Sequence, residues 1–525
     1  VVGKRQFKPT KCYGVLYIRF ILFVCLLLVT LATTWFFLRD DSPSLKPTTH
    51  YCDGLEKNHS EKLSDVLRPF RDKLAKSTGV FPLETGTSAI LTRAWLSDAA
   101  EKSIDVQYFI FSKDNVGLIA FDYLVHAADR GIQVRVLVDD FMVEFEEREI
   151  LAMASHPNIS IKIYNPGVNL GKNFFEKIKK FATDFDGANQ RMHNKLFIVD
   201  GQVLITGGRN IEGMYFDFNH RYNFRDRDVL LLGQAAEQGQ RIFNQYWNHQ
   251  LSVDVTKILE DEKEGREISH QFERLHEYAC NPQNYWPQIR EQVRNLSRVF
   301  HSIQKSGDLV WTESANMVCD SPNKMGESGS NTAAKLIDLI ANAKQSVDIQ
   351  TPYLVTSEST RMLFKAAVDK GVNVRILTNS LASTDNVEAF SGYQRDRDEL
   401  LATGVHVFEF RPDAKVRLEL ASSELQEELG HTAIFGTHAK TLVVDEKVTV
   451  IGSFNLDPRS AYLNTECLAI IDDRTIAEKV LQGIEEEFKP ENAWKITPNW
   501  NPDDKVDLSK RLKTYTRYII PKDVL

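Results

Sequence analysis

A chain of 525 residues is longer than one hydrophobic core organises, so two or more domains are expected. Apolar residues at 42% and charged residues at 26% exclude a disordered or low-complexity protein. A net charge of −8 excludes the overall positive field that draws nucleic acid to many of its binders, so nucleic acid is not expected as a partner.

Phe20–Leu38 is an uncharged run of 19 residues, long enough to cross a hydrocarbon core of about 30 Å. Lys4, Arg5, Lys8, Lys11 and Arg19 precede it, whereas Arg39, Asp40 and Asp41 follow. This bias predicts one transmembrane helix within residues 1–38, with the N-terminal stub in the cytoplasm and the rest on the far side. No small-x-small site follows the run, which disfavours a cleaved signal peptide. Residues 39–82 read as a linker and a lead-in helix, polar and proline-containing at first. Six cysteines show neither CxxC nor close Cys/His spacing, so neither a metal site nor a redox motif is expected.

From about Leu83 the chain reads as helix, buried strand, helix, buried strand, a motif strand and a hairpin-like return. Val134, Val136 and Val138 alternate as in a strand. Within 169–187, Phe174, Phe175, Ile178 and Phe181 lie among Lys172, Lys177, Lys179 and Lys180 at helical spacing. Such a helix either docks on an anionic membrane interface or packs its phenylalanines on the core. The first motif follows in RMHNKLFIVDG: His193, Lys195 and Asp200, and then the turn GGRN with Gly207, Gly208 and Asn210. Residues 251–307 read mostly as a helical connection.

The pattern then repeats. AAEKSIDVQYFIF (99–111) matches NAKQSVDIQTPYL (342–354), and DRGIQVRVLVDD (129–140) matches DKGVNVRILTNS (369–380). Ser383, Thr384 and Asp385 read as an N-cap for a helix ending near Gly404. The second motif lies in GTHAKTLVVDE, with His438, Lys440 and Asp445, and is followed by GSFN with Gly452, Ser453 and Asn455. The expected fold is α/β, with two lobes (83–250 and 308–525) related by a pseudo-two-fold axis. Mixed, mainly parallel sheets would carry helices on both faces. Each half holds one histidine motif, so a complete site requires both halves to meet.

An imidazole can attack phosphorus, and ammonium and amide groups can hold the oxygens that gain charge. Two imidazoles can serve as nucleophile and as acid/base without a metal, because histidine titrates near neutrality. One His-x-Lys pair is more often a surface or packing feature; two at matched repeat positions, each with its Asn turn, are not.

These paired HxKxxxxD motifs resemble those of the phospholipase D superfamily. TDFDGANQRMHNKLFIVDG, GGRNIEGMYF, TNSLAST and GSFNLDPRSAYLNTE are most similar to the bacterial cardiolipin synthases, the cardiolipin synthase C-like branch. The similarity runs from about Gly79 to the closing IPKDVL. The resemblance implies a membrane-bound phosphatidyltransferase working through a covalent phosphohistidine, without cofactor or metal. His193 would be the nucleophile and His438 the acid/base, or the reverse. Lys195, Lys440, Asn210 and Asn455 would hold the non-bridging oxygens, and Asp200 and Asp445 would be structural. The family also places an acidic residue on a following strand against each histidine. Glu466 is expected against His438, and Asp228 against His193 with Asp226 as runner-up. The implied substrates are phosphatidylglycerol and a second phospholipid such as phosphatidylethanolamine, at a bacterial inner membrane with the catalytic region periplasmic. A hydrolase releasing phosphatidic acid, a metal-independent nuclease and a non-catalytic lipid-binding scaffold are the alternatives.

Overall fold

The structure is a computed structural model that describes residues 61–145, 147–170, 185–219, 221–259, 267–285, 287–324, 329–417 and 433–525. The run Phe20–Leu38 and the Phe174–Phe181 segment lie outside the described residues. Among the described residues no helix is long and apolar enough to cross a membrane.

The first half supplies strands β1 (Thr78–Leu83), β2 (Ser103–Phe111), β3 (Gln133–Val143), β4 (Ile159–Tyr164), β5 (Leu196–Val199), β6 (Val203–Gly207), β7 (Tyr222–Arg225), β8 (Asp228–Gly233) and β9 (Ser252–Asp254). β10 (Val310–Thr312) and β11 (Ala315–Cys319) open the second half, followed by β12 (Ser346–Gln350), β13 (Asn373–Asn379), β14 (His406–Phe410), β15 (Ile434–Thr437), β16 (Thr441–Val444), β17 (Val448–Gly452), β18 (Cys467–Asp472) and β19 (Ala493–Lys495). Seventeen of them form a nine-stranded sheet, β10-β1-β8-β6-β5-β2-β3-β4-β9, and an eight-stranded sheet, β11-β18-β17-β16-β12-β13-β14-β19, while β7 and β15 make a separate two-stranded sheet. β10 falls in the range expected for the second lobe, yet it adds to the first sheet beside β1.

Both sheets are mixed, but antiparallel pairing predominates, which corrects the mainly parallel expectation. Within these two large sheets, only β2–β3–β4 and β12–β13–β14 run parallel, through helical crossovers. The motif strands return through tight hairpins, β5 to β6 and β16 to β17, and a hairpin return makes its strands antiparallel.

The principal helices are α1 (Gly86–Ala99), α2 (Asn115–Asp129), α3 (Gln234–Trp247), α4 (Glu267–Cys280), α5 (Asn331–Asn342), α6 (Glu358–Asp369), α7 (Val387–Leu401), α8 (Arg474–Phe488) and α9 (Leu508–Thr516). Their starts follow from short polar caps. The Thr85 hydroxyl accepts from Ser88 N at 3.0 Å before α1, and Asp114 accepts from Gly117 N at 2.9 Å before α2. α7 is capped by Asn386, which accepts from Ala389 N at 2.9 Å, one residue beyond the Ser383–Asp385 cap expected from sequence.

Strand alternation sorts the apolar side chains into three cores. Phe197, Val199, Val203, Ile205, Leu230 and Leu232 face the outer helices of the first lobe. Leu196, Ile198, Leu204, Val229 and Leu231 face inward, where they join Val443, Ile451, Ala469 and Ile471 of the second sheet. α3 and α8 complete this central core with Phe243, Tyr246, Ile476, Val480 and Ile484. Leu442, Val444, Val450, Leu468 and Ile470 face the outer helices of the second lobe. The central core is why the two motifs converge, since each motif strand turns one face to the other lobe.

Candidate active site

Two short cross-lobe pairings set the site. β7 pairs parallel with β15, so the strand leading into the second motif is held by the first lobe. Met192, just before the first motif, bridges in parallel to Thr465 of the second lobe. His193 N donates to Thr465 O at 3.0 Å, and His438 N donates to Arg225 O at 2.7 Å. Each histidine backbone is therefore anchored one residue before an acidic side chain of the opposite lobe.

The side chains follow. His193 Nδ1 lies 2.9 Å from Glu466 Oε2 and 3.1 Å from Oε1. His438 Nδ1 lies 2.7 Å from Asp226 Oδ2. The carboxylate assignment expected from sequence is thus crossed: Glu466 serves His193 rather than His438, and Asp226 serves His438. Asp228 contacts neither histidine. It accepts from Arg93 Nη2 at 2.9 Å and from Arg209 N at 3.3 Å, inside the first lobe. The reason is strand geometry. Asp226 precedes β8, level with the cleft, while Asp228 pairs with Gly207 in the sheet.

Both histidines are almost wholly buried, at 7% and 4% exposure. Burial pushes the His193 imidazole down to about 4, outweighing the adjacent Glu466 carboxylate. Burial, with Lys440, Lys195 and His193 nearby, pushes His438 well below its ordinary value. With Nδ1 turned to a carboxylate, Nε2 is the ring nitrogen available for chemistry, and in His438 it lies 3.1 Å from Lys440 Nζ.

Lys195 and Lys440 are buried beside the rings, and each ammonium donates to the carbonyl of its motif histidine, at 2.7 and 2.6 Å. Burial lowers Lys195 to about 7 and Lys440 to about 8, although Glu466 and Asp226 favour the charged forms. Asn210 Oδ1 accepts from Ile110 N at 3.2 Å, and its amide donates to Tyr215 OH at 3.0 Å. Asn455 is 5% exposed, and its Oδ1 has no hydrogen-bond partner among the described residues.

The motif aspartates stand at the hairpin turns, with φ of 52° at Asp200 and 53° at Asp445. Asp200 accepts from Glu101 N, Lys102 N and Ser103 N at 3.0, 2.7 and 2.9 Å. Asp445 accepts from Lys344 N, Gln345 N and Ser346 N at 3.0, 2.7 and 3.1 Å. Both tie the turn to the start of the neighbouring strand and stand apart from the histidine rings.

Several contributors had no signal in sequence. Ser453 Oγ donates to Glu466 Oε2 and accepts from Cys467 N at 3.0 Å. Asp320 Oδ2 accepts from Glu466 N at 3.1 Å, and Asp320 N donates to Glu466 O at 2.9 Å. A disulfide joins Cys319 to Cys467, which face each other across β11 and β18. The Gly-rich turns have a steric cause: a Cβ on Gly208 would sit 2.1 Å from Asp226 Oδ1, and one on Gly452 2.2 Å from Cys467 O. Aromatic rings wall the site, with Phe109 edge-on to His193 at 5.2 Å and Tyr215 edge-on to His438 at 5.0 Å.

Two buried carboxylate–imidazole pairs, each with a lysine and an Asn turn and each built across the two lobes, define a phospholipase D-type site. The family model described as "Cardiolipin synthase, PLD-like domain" matches residues 96–247 and 336–489, more than half of the chain. The chain is 32% identical to cardiolipin synthase C of Escherichia coli (strain K12), over 80% of this chain and 86% of that protein. It is 34% identical to an uncharacterized protein of Helicobacter pylori (strain ATCC 700392 / 26695), over 76% of this chain and 77% of the relative. The crystal structure of a phosphatidylserine synthase of Haemophilus influenzae Rd KW20 shares the fold. It aligns with a TM-score of 0.58 at 14% identity, over 88% of this chain and all of that one. The chain belongs to the cardiolipin synthase family of phospholipase D superfamily enzymes.

Proposed function

We propose that the protein is a membrane-bound phosphatidyltransferase that makes cardiolipin from phosphatidylglycerol and a second phospholipid, through a phosphohistidine at His193. The crossed pair of carboxylate-anchored imidazoles is the observation that carries this reading. His193 Nε2 attacks the phosphorus of the donor phospholipid, and the bond to its leaving headgroup oxygen breaks as His438 gives that oxygen a proton. His438 then takes the proton of the incoming alcohol, whose oxygen displaces His193 from phosphorus. Lys195, Lys440 and the two Asn side chains hold the non-bridging oxygens. Burial and the lysine field depress His438, and the anionic phosphodiester offsets the lysine part and so lets it carry the proton.

His193 is favoured as nucleophile because its carboxylate is the better-held anion. Burial raises Glu466, yet His193, Lys195 and the Ser453 hydroxyl together bring it below the ordinary value. Burial raises Asp226, and Lys440 and Arg209 only partly offset it.

The membrane reading rests on two apolar features. Phe20–Leu38 suits a single-pass anchor. α9 and the 3-10 turn that follows it (Arg517–Ile519) expose Leu508, Leu512, Tyr515 and Ile519, at 52–65% exposure. Arg511 and Lys513 lie among them in sequence, and 508–522 contains no acidic residue. Such a face suits an anionic lipid surface. It also lies near the site: Lys510 Nζ donates to Thr384 O, and the next residue, Asp385, accepts from Tyr353 OH at 2.7 Å, whose ring meets His438 edge-on. The Cys319–Cys467 disulfide supports an oxidising, periplasmic setting for the catalytic region.

The test is product analysis. The purified chain, given phosphatidylglycerol with and without phosphatidylethanolamine, is expected to yield cardiolipin on thin-layer chromatography. Phosphatidic acid alone would establish the hydrolase instead, and no turnover would establish the scaffold.

A further inference from the structure

We infer a divalent metal site, of the zinc class, that clasps the inter-lobe connection to the first lobe at Asp122, His126 and His276. Asp122 and His126 are one turn apart on the same face of α2. His276 comes from α4, within the connection between the lobes. Asp122 Oδ1 lies 3.3 Å from His276 Nδ1, and Oδ2 lies 3.5 Å from His126 Nε2. The two ring nitrogens, His126 Nε2 and His276 Nδ1, are 2.6 Å apart. One donor atom from each residue falls within 4.8 Å of the others.

Two observations point to a cation. Imidazole nitrogens this close repel through their lone pairs unless a proton or a metal lies between them. A shared proton would satisfy the rings alone, whereas Asp122 is 1% exposed and its Oδ2 has no hydrogen-bond partner among the described residues. A buried carboxylate oxygen in that state is costly, and a cation would satisfy it together with both nitrogens. Two imidazoles and one carboxylate form a ligand set suited to zinc and its neighbours. Ligands at about 2.0–2.1 Å from a tetrahedral ion lie about 3.3 Å from each other. Each ring nitrogen already lies near that distance from one oxygen of the carboxylate, His276 Nδ1 at 3.3 Å from Oδ1 and His126 Nε2 at 3.5 Å from Oδ2, and the ring nitrogens need to open by less than about 1 Å.

Cys280 Sγ lies 3.5 Å from His276 Nε2, but this cysteine is disulfide-bonded and so supplies no thiolate. The His126 and His276 side chains are 36% and 37% exposed, which gives an ion a way in. The clasp would fix α4 against α2 and so set the path of the connection between the catalytic lobes. It takes no part in the paired-histidine chemistry.

The test uses the full chain in detergent, stripped with chelator and titrated with Zn²⁺, with bound metal counted by mass spectrometry. One zinc per chain is expected. His126→Gln and His276→Gln should each weaken binding at least tenfold, while His193→Gln should leave it unchanged. Substoichiometric binding by the unaltered chain would overturn the site, as would full binding by both clasp variants or loss of binding on changing His193. If the clasp variants do not fold, X-ray absorption of the zinc-loaded unaltered chain decides. Nitrogen and oxygen neighbours with two imidazoles sustain the assignment, and a sulfur neighbour overturns it.

Discussion

The two lobes share one plan but use different chemistry behind their histidines. Gly208 and Ser453 occupy the same place in the two Asn turns. Gly208 backs Asp226 closely and offers it no side-chain donor, whereas Ser453 donates to Glu466. Deeper in, the first lobe buries Arg93 and Arg209 around Asp228. The repeat puts Leu336, Phe454 and Leu468 at the corresponding places, all part of an apolar cluster. A buried ionic cluster and an apolar one can fill the same space with similar stability, so a duplicated fold is free to exchange them. What the two lobes keep is the crossed carboxylate–imidazole pairing; what they vary is how firmly each carboxylate is held as an anion.

Removing each imidazole is the most severe test of this asymmetry. His193→Ala is expected to abolish exchange with every substrate. His438→Ala should lose about 10²–10⁴-fold with phospholipids but retain release of p-nitrophenol from a nitrophenyl phosphodiester, whose leaving group needs no proton. Steady-state rates with both substrates check this. If the two variants behaved in reverse, the nucleophile would be His438.

The carboxylates come next. Glu466→Gln is expected to cost about 10²–10⁴-fold in kcat, because an amide no longer fixes the Nδ1–H tautomer of the nucleophile. Asp226→Asn should cost less, since its carboxyl is already held above its ordinary value. Asp228→Asn should preserve kcat per folded molecule while lowering stability by about 3–5 kcal/mol, the cost of leaving buried arginines without their anion. Denaturant melts beside active-site titration separate these outcomes. A kcat collapse in Asp228→Asn with unchanged stability would return that residue to the chemistry.

The same three acids show where sequence was informative. The repeated motifs, the Asn turns and the period-two strands were legible because each is local. The carboxylate pairing was not, since it depends on a crossing between lobes that no spacing within one lobe encodes. Asp226 and Asp228 also share strand parity, so alternation could not choose between them. The mainly parallel sheet was misread because βαβ text at the start of each half outweighed the short hairpins that follow. Ser453, Asp320 and the Cys319–Cys467 pair emerge only when β11, β17 and β18 come together.

A smaller effect is expected at Ser453. Ser453→Ala removes the hydroxyl from Glu466 and brings the second lobe closer to the first, with a loss of about tenfold in kcat and little change in KM. The pH profile of kcat/KM should keep its alkaline limb in this variant. That limb falls as pH rises through about 7 to 8, where Lys195 and Lys440 lose their protons, because both were lowered by burial. A variant whose alkaline limb moved by a full unit would show the hydroxyl acting on the lysines rather than on the carboxylate.

The smallest effect is the one in which the lobes should agree. Asp200 and Asp445 each accept three backbone N–H groups from the start of a neighbouring strand, and their turns adopt the same left-handed backbone. These donors lie near the surface, so water can replace part of what an alanine removes. Asp200→Ala and Asp445→Ala are each expected to cost about 1–2 kcal/mol, comparable to losing a helix cap, with kcat per folded molecule retained. Urea titration of both variants at equal protein concentration measures the difference. Near-equal losses would place these aspartates in the architecture that duplication preserved; a selective loss of kcat in one would mean that this turn also positions its histidine.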